Sequence, residues 1–416
     1  MSKFLVLFLT LFLSSLGAQT LTLESCIEKS LTNHPDIKRL SLGVEQSVHA
    51  VDVAKADYMP QINLNAEYNP HNTFVMPQSG IFKTIHDDSW LVGGQVNQKI
   101  YDFSKTTSTI KAYETSKKIA SLSLKDAEAL LAYNIKNIYN LALFHTKALE
   151  IKEKDLETKG ELYKQAKALV EEGLKTQADE MSMLSALYSA EDARAQSKAE
   201  LYKALVTLSL YMGEEVPLDV TLSDDFLEQK ENLDSTKEDA LRTNYALSSA
   251  QEQIKKDTLI YKASKAQNYG SIDAVAAYTH QNTLNKYDTS MVGIGIKIPL
   301  YSGGRISAQS QISRIEIEMA KESYNTKKLQ LQEEIDNLLI DLERFHFTTK
   351  AKEALINSTN ATKTIVEARY KEGLSTYIEV LDASSLYLQA TLGLLESKFA
   401  LRKIVDRLEY LRGEKE

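Results

Sequence analysis

Two stretches of the chain, 200 residues apart, follow one plan. The later one is MVGIGIKIPLYSGGR, Met291 to Arg305. In it Val292, Ile294, Ile296 and Ile298 are apolar at alternate positions, and Gly293, Gly295 and Lys297 fill the gaps. That alternation marks a strand with one apolar face. Pro299 ends the ladder because it has no N–H to donate. Gly303-Gly304 then permits a sharp change of direction. In the earlier stretch Val92, Gly94 and Val96 stand in register with Val292, Ile294 and Ile296, and Tyr101 with Tyr301. Gly173 and Gly373 match at the same offset, each inside Glu-Gly-Leu-x-Thr, and so do Gly213 and Gly413. A repeat at fixed offset means that the fold is two copies of one supersecondary unit.

The N-terminus stands outside this plan. Lys3, the apolar run Phe4 to Leu13 and the small residues up to Ala18 have the layout of a secretory signal peptide, so residues 1–18 are expected to be removed. The run falls short of the roughly 20 apolar residues of a spanning helix. The only cysteine, Cys26, rules out an intrachain disulfide framework. Glu24, two residues before it, argues against lipid attachment there. A net charge of -8 gives no basic footprint for nucleic acid. The seven histidines are scattered. Neither H-E-x-x-H, nor paired cysteines, nor a G-x-x-x-x-G-K-[ST] loop occurs. No enzyme activity, cofactor or metal site is therefore expected.

The elements follow in order. Leu23 to Asp57 is expected to be helical, with a break at Pro35. Ile62, Leu64, Ala66 and Tyr68 alternate as a strand, and a polar loop with Pro70, Pro77 and Gly80 is expected before the strand Trp90–Ile100. Thr106 to Glu172 contains no proline, and its apolar residues recur at helical spacing, so one helix of 67 residues is expected. Gly173-Leu174-Lys175 turns the chain, and Thr176 to Met212 returns. After a linker at 214–235 the plan recurs. Lys237 to Gln267 is helical; a hairpin at about 271–299 has its loop at Thr279 to Ser290; Ile306 to Glu372 is a second long helix; a turn at 373 leads to Thr376–Leu411. The first repeat is thus 19–213, with its hairpin at about 62–100 and tip turn at 173, and the second is 236–416.

The four strands are each about ten residues long, the length that crosses a bilayer when tilted. Tyr68, Trp90, Tyr101, Tyr278 and Tyr301 are placed as a membrane aromatic girdle would be. A transmembrane sheet must close to hide its edges, and barrels need at least about eight strands. The barrel must then be shared between copies. Two or three chains satisfy the count, and only the larger ring leaves a useful channel.

The duplicated hairpins, the stretch Pro299-Leu300-Tyr301-Ser302-Gly303-Gly304-Arg305, and Ala368 to Thr376 with Glu379-Val380-Leu381-Asp382 carry a resemblance. On these residues the chain resembles the outer-membrane efflux proteins of the TolC family over essentially its whole mature length. The resemblance implies a mainly α fold with a small transmembrane β part: a duplicated unit of long helices plus β-hairpin, forming a trimeric α-barrel topped by a shared twelve-stranded β-barrel. It implies an outer-membrane exit duct with a long periplasmic extension, working with a periplasmic adaptor and an inner-membrane transporter of the RND or ABC type. A type I protein-secretion exit is the alternative within the class, and a secreted coiled-coil rod the alternative outside it. The first copy departs from the family pattern, with Lys99 where proline is common and Phe103-Ser104 in place of Gly-Gly.

The helix tips carry the candidate site. Glu379 and Asp382 are three apart and share a helix face. In a trimer each would make a ring of carboxylates, a cation-attracting constriction. By resemblance these positions form the periplasmic gate, and Tyr370 and Asp179 match positions that latch its closed state. Ser375 stands where the family archetype carries an arginine. Thr376-x-x-Glu379 and Thr176-x-x-Asp179 are also capping-box spacings. Capping and gating stay open side by side for Glu379 and Asp179. At Gly173-Leu174 and Gly373-Leu374 the apolar residue is either an adaptor-docking tip, as the resemblance implies, or a local C-cap contact.

Overall fold

The structure, a computed structural model, describes residues 20–223 and 236–413. The expected signal peptide and most of the expected linker lie outside the described residues. The elements are β1 (Thr20–Leu21), α1 (Leu23–Asn33), α2 (Pro35–Ala56), β2 (Gln61–Gln78), β3 (Ile81–Tyr101), α3 (Lys105–Glu171) and α4 (Gln177–Met212). They continue with β4 (Thr221–Leu222), α5 (Thr236–Thr243), α6 (Tyr245–Ala266), β5 (Ser271–Asn282), β6 (Lys286–Lys297), α7 (Arg305–Lys371) and α8 (Tyr377–Leu411).

Helices α3 and α7 each have 67 residues and begin 200 positions apart, as an uninterrupted absence of proline allows. Pro35 sits at the first position of α2, where its missing N–H is harmless. The expected helix Lys237–Gln267 is instead broken at Asn244, whose side chain accepts from the Leu247 N–H and starts α6. Asparagine does there by capping what Pro35 does by geometry.

The chain forms two compact units, each drawn from both copies. One takes the described parts of Met1–Lys38, Ala127–Ala240 and Gln332–Glu416. Its buried residues include Ile135 and Ala142 of α3, Leu208 and Met212 of α4 and Leu408 of α8. Beside these runs a charged seam. Lys136 pairs with Glu409 at 2.5 Å, both buried. Asn140 donates to Asp406 at 2.8 Å, and Arg402 lies 3.0 Å from the same carboxylate. Burial pushes the Asp406 carboxyl up to about 6, against the pull of Arg402. The short β1 pairs with β4 in parallel, and the Tyr139 hydroxyl lies within 2.9 Å of the carbonyls of Leu21 and Ser223 that flank this pair.

The other unit, Arg39–Asp126 with Leu241–Leu331, holds an antiparallel sheet of order β2-β3-β5-β6. Its register stacks like on like. Ile62 faces Val96, Val96 faces Ala276, and Ala276 faces Val292. Leu64 faces Gly94, which faces Tyr278. On the reverse side Asn63 faces Gln95, and Gly93 faces Thr279. Because strand side chains alternate, one face is apolar across all four strands. That face is uncovered by its own chain: Val292 is 88% exposed, Leu64 78% and Ile62 75%.

The strands run further than their sequence implied. The stretch expected as a polar loop is ribbon, and only Ser79-Gly80 turns, both with positive φ (53° and 84°). Such a two-residue turn matches strand twist. Pro70 falls in the bulge between Asn69 and Asn72. Pro77 lies on edge strand β2 beside the closing pair Gln78–Ile81, where alternation turns its nitrogen away from β3. The loop expected at Thr279 to Ser290 is likewise strand except for residues 283–285.

The departure Phe103-Ser104 leaves the strand-to-helix turn intact. These residues adopt φ of 54° and 70°, matching 62° and 82° at Gly303 and Gly304. Just before them Asp102, 1% exposed, accepts from the Thr106 N–H at 2.8 Å and the Thr106 hydroxyl at 2.5 Å. A buried carboxylate that caps α3 helps hold the turn in a conformation L-residues disfavour.

Candidate functional site

The two tips are built alike. At the end of α3, Gly173 donates to the Val170 carbonyl at 3.0 Å and Leu174 to the Leu169 carbonyl at 2.9 Å. At the end of α7, Gly373 donates to Tyr370 at 3.0 Å and Leu374 to Arg369 at 2.8 Å. This Schellman pair needs a left-handed residue after the helix, and the glycines supply it with φ of 75° and 74°. Three residues after each glycine the next helix is capped. Thr176 accepts from the Asp179 N–H while the Asp179 carboxylate accepts from the Thr176 N–H, at 3.3 and 2.9 Å. Thr376 and Glu379 make the same exchange, at 3.3 and 2.8 Å. Leu174 and Leu374 are each 67% exposed.

The candidate carboxylates therefore differ in employment. Asp179 and Glu379 are bound into capping boxes. The hydrogen bond from the Thr376 backbone is the main reason that the Glu379 carboxyl is held below the usual glutamate range. Asp382 lies one turn further along α8 and is exposed.

Tyr370 is the most enclosed of the candidates. It is fully buried, in a cluster with Leu162 and Ala166 of α3, Met183 of α4 and Val380 of α8. Its hydroxyl has no hydrogen-bond partner among the described residues. Burial, and then the charge of Asp179, raises its pKa. Lys175 crosses from the first tip to the second. Its ammonium donates to the Ser375 carbonyl at 3.2 Å and lies 5.2 Å from the Tyr370 ring centroid. Lys175 was not a candidate in the sequence. The signal for it was position: it stands two residues after Gly173, as Ser375 does after Gly373.

The aromatic candidates lie on the sheet and its flank. Tyr68 faces Trp90 across β2 and β3, at the level where β5 ends. Trp90 packs on the His280 ring at 5.0 Å. Tyr101 ends β3, and its ring packs on Phe103, which in turn packs on Tyr269. Tyr278 faces Gly94, between these two levels, and Tyr301 follows β6 with 90% of its surface exposed. No helix among the described residues is long and apolar enough to cross a membrane. No cluster of His, Cys, Asp or Glu among them could hold a metal ion.

Comparison with known proteins gives one family. The model of the outer membrane efflux protein family matches residues 26–214 and 237–414, one block in each copy. The outer membrane efflux protein BepC of Brucella suis biovar 1 (strain 1330) is 22% identical over 392 residues, covering 93% of this chain and 84% of that one. The outer membrane protein TolC of Vibrio cholerae is 20% identical, with 96% and 92% covered. Among solved structures, the outer membrane protein VceC of Vibrio cholerae superimposes with a TM-score of 0.84 at 16% identity, over 95% of this chain and 97% of that one. CusC gives a TM-score of 0.84 at 17% identity. By the match across both copies, this chain belongs to the outer membrane efflux protein family.

Proposed function

We propose that three copies of this chain form an outer-membrane exit duct of a tripartite efflux system, taking small molecules from an inner-membrane transporter through a periplasmic adaptor. The observation that carries the reading is the sheet. Its apolar face is in register across four strands and uncovered, and β2 and β6 are open edges. An open edge is not tolerated in a bilayer, so the sheet must be completed by other copies. Three copies give a twelve-stranded barrel. In this reading residues 19–213 and 236–416 are the two repeats of one subunit, and 214–235 links them.

The levels of the aromatic residues support the membrane assignment. Tyr101 and Trp90 are 11 residues apart on β3. That is about 36 Å along the strand and about 28 Å of depth at a tilt of about 40°. A hydrocarbon core of about 25–30 Å fits between them.

Exposed apolar stripes support the assembly. Ile312, Ile315 and Met319 lie on one face of α7 and are 49%, 58% and 66% exposed. Further along the helix, Ile340 and Phe347 are 66% and 67% exposed. Helix faces of this kind are buried by neighbours.

In this reading Asp382 and Glu379, at the helix tips, ring the periplasmic mouth, with Tyr370 and Asp179 beside them. Leu174 and Leu374 are the surface an adaptor covers. Capping by Glu379 and Asp179 coexists with this, because a capping carboxylate keeps its charge. Transport needs no chemistry in the duct, and its energy comes from the inner-membrane partner. A second reading, export of polypeptides, is favoured by one relative, the proteases secretion protein PrtF of Dickeya chrysanthemi, 22% identical over 335 residues.

The test is single-channel conductance in a planar bilayer, for wild type and for Glu379→Ala with Asp382→Ala. The expected result is a low, cation-selective conductance that rises and loses selectivity in the double variant. Conductance unchanged in the variant places the gate elsewhere. No conductance from folded protein removes the duct.

A further inference from the structure

Where the sheet meets its helices, the start of α3, the end of α6 and the start of α7 enclose a cavity of about 480 Å³. All three segments belong to one compact unit. Cavities of this size hold small organic molecules. Because α3 leaves the sheet and α6 returns to it, Lys105 stands level with Gln267, and Lys256 stands level with Ser116, eleven residues further from the sheet. At 1.5 Å per residue the cavity is a slot about 16 Å long with a lysine at each end. Its middle is apolar, walled by Ala112, Ile260 and Ala263.

Charge says what the slot takes. Its lining carries two lysines and no acid, in a chain whose net charge is -8. Neighbouring lysines on the same helices are neutralised: Lys118 of α3 and Lys255 of α6 share Glu252, at 2.8 and 2.7 Å. Lys105 and Lys256 have no such carboxylate among the described residues. Ser264, also in the wall, is 5% exposed, and its hydroxyl has no hydrogen-bond partner among them. Unpaired cations at both ends of an apolar slot are complementary to an apolar body with an acidic group at each end. A membrane lipid fits poorly. Its phosphate belongs at the level where β3 ends, beside Lys105, and its chains lead away from Lys256. Nor is this the face that a neighbouring copy would cover. Gln309 and Ser313 line the slot about 100° around α7 from the stripe of Ile312, Ile315 and Met319.

We propose that this cavity binds a small organic dianion, with one acidic group toward Lys105 and the other toward Lys256. The flexible four-carbon stem of each lysine brings its ammonium toward the middle of the slot, so a body of two fused rings spans the gap. Ile260 and the alanines pack on that body. The site goes beyond the exit-duct reading and lies within one chain, so it stands or falls separately from the trimer.

The test is isothermal titration of naphthalene-2,6-disulfonate into the protein held in phosphatidylcholine nanodiscs, with circular dichroism and elution volume to confirm that each variant is folded. Wild type is expected to bind one molecule per chain. Lys105→Met with Lys256→Met is expected to weaken binding at least about tenfold, as loss of a charged hydrogen bond at each end requires. Lys111→Met with Lys117→Met removes the same charge from exposed positions of α3 outside the slot and is expected to change nothing. Ile260→Trp, at a position 36% exposed, fills the slot and is expected to abolish binding with both lysines in place. No saturable binding by folded wild type overturns the proposal. So does binding that survives Ile260→Trp, or an equal loss in the Lys111 and Lys117 variant, which would mark a general attraction for anions. Phospholipid retained in stoichiometric amount by purified wild type and lost from the Lys105 and Lys256 variant would assign the slot to lipid and also overturn it. Conductance of the same preparation tests the duct separately: a conducting protein that does not bind removes only this site, and a binding protein that does not conduct removes only the duct.

Discussion

Asp406 shows what a single side chain can do to a helical core. The carboxyl is 1% exposed, and burial moves its pKa from 3.8 to about 6. An acid whose pKa is raised by folding binds its proton more tightly when folded. Its contribution to stability is full below 3.8 and is lost as the pH rises through about 6. The size of the effect is about 3 kcal/mol, at about 1.4 kcal/mol per pH unit. Asp406→Asn mimics the protonated side chain at every pH. The stability of Asp406→Asn relative to wild type is therefore expected to climb between pH 4 and 6 and level off above. Thermal melts of the detergent-solubilised protein across that range test this; a flat or falling difference refutes it. Acids such as Glu379, whose pKa is lowered by folding, work in the opposite sense. The difference between variant and wild type isolates Asp406 from them.

At the scale of elements the duplication is both a guide and an experiment already done. The β3–α3 turn carries Phe103-Ser104 where the β6–α7 turn carries Gly303-Gly304, with φ matched to within about 12°. A left-handed non-glycine residue costs about 1–2 kcal/mol, while glycine loosens the unfolded chain by about 0.4–1 kcal/mol. The first quantity is larger. Ser104→Gly is expected to stabilise by about 0.5–1 kcal/mol, and Gly304→Ser to destabilise by at least as much. The same sign for both in thermal melts would show that the two turns are not equivalent. The long helices were legible in the sequence because absent proline and apolar spacing are local facts. The tip turns were legible because Glu-Gly-Leu-x-Thr names a Schellman end and a cap together. The ribbon beyond Trp90 was not. Its His, Asn, Asp and Pro residues suit a loop, and what makes them strand is pairing with a partner strand and a two-residue turn. Lys175 was missed for the same reason: its reach to the second tip depends on two hairpins lying side by side, which no local pattern encodes.

For the whole molecule the question is what covers the side chains that one chain leaves bare. Ile312, Ile315 and Met319 recur at three and then four residues along α7, a spacing that on a solitary surface helix would be polar. Fully burying such a side chain is worth about 1.5–3 kcal/mol, and three-fold symmetry repeats the gain at every interface. In the proposed trimer a neighbouring copy would cover the stripe. Ile315→Asp with Met319→Asp places charges where a neighbouring copy should pack, and leaves the packing within one chain untouched because both side chains are more than half exposed in it. The expected outcome is helix content equal to wild type, with the trimer lost or dissociating at a much lower temperature. Light scattering after size exclusion measures the mass, and circular dichroism measures the fold. Trimers as stable as wild type would show that the stripe lines solvent instead, and the subunit interface would have to be sought on another face of the helices.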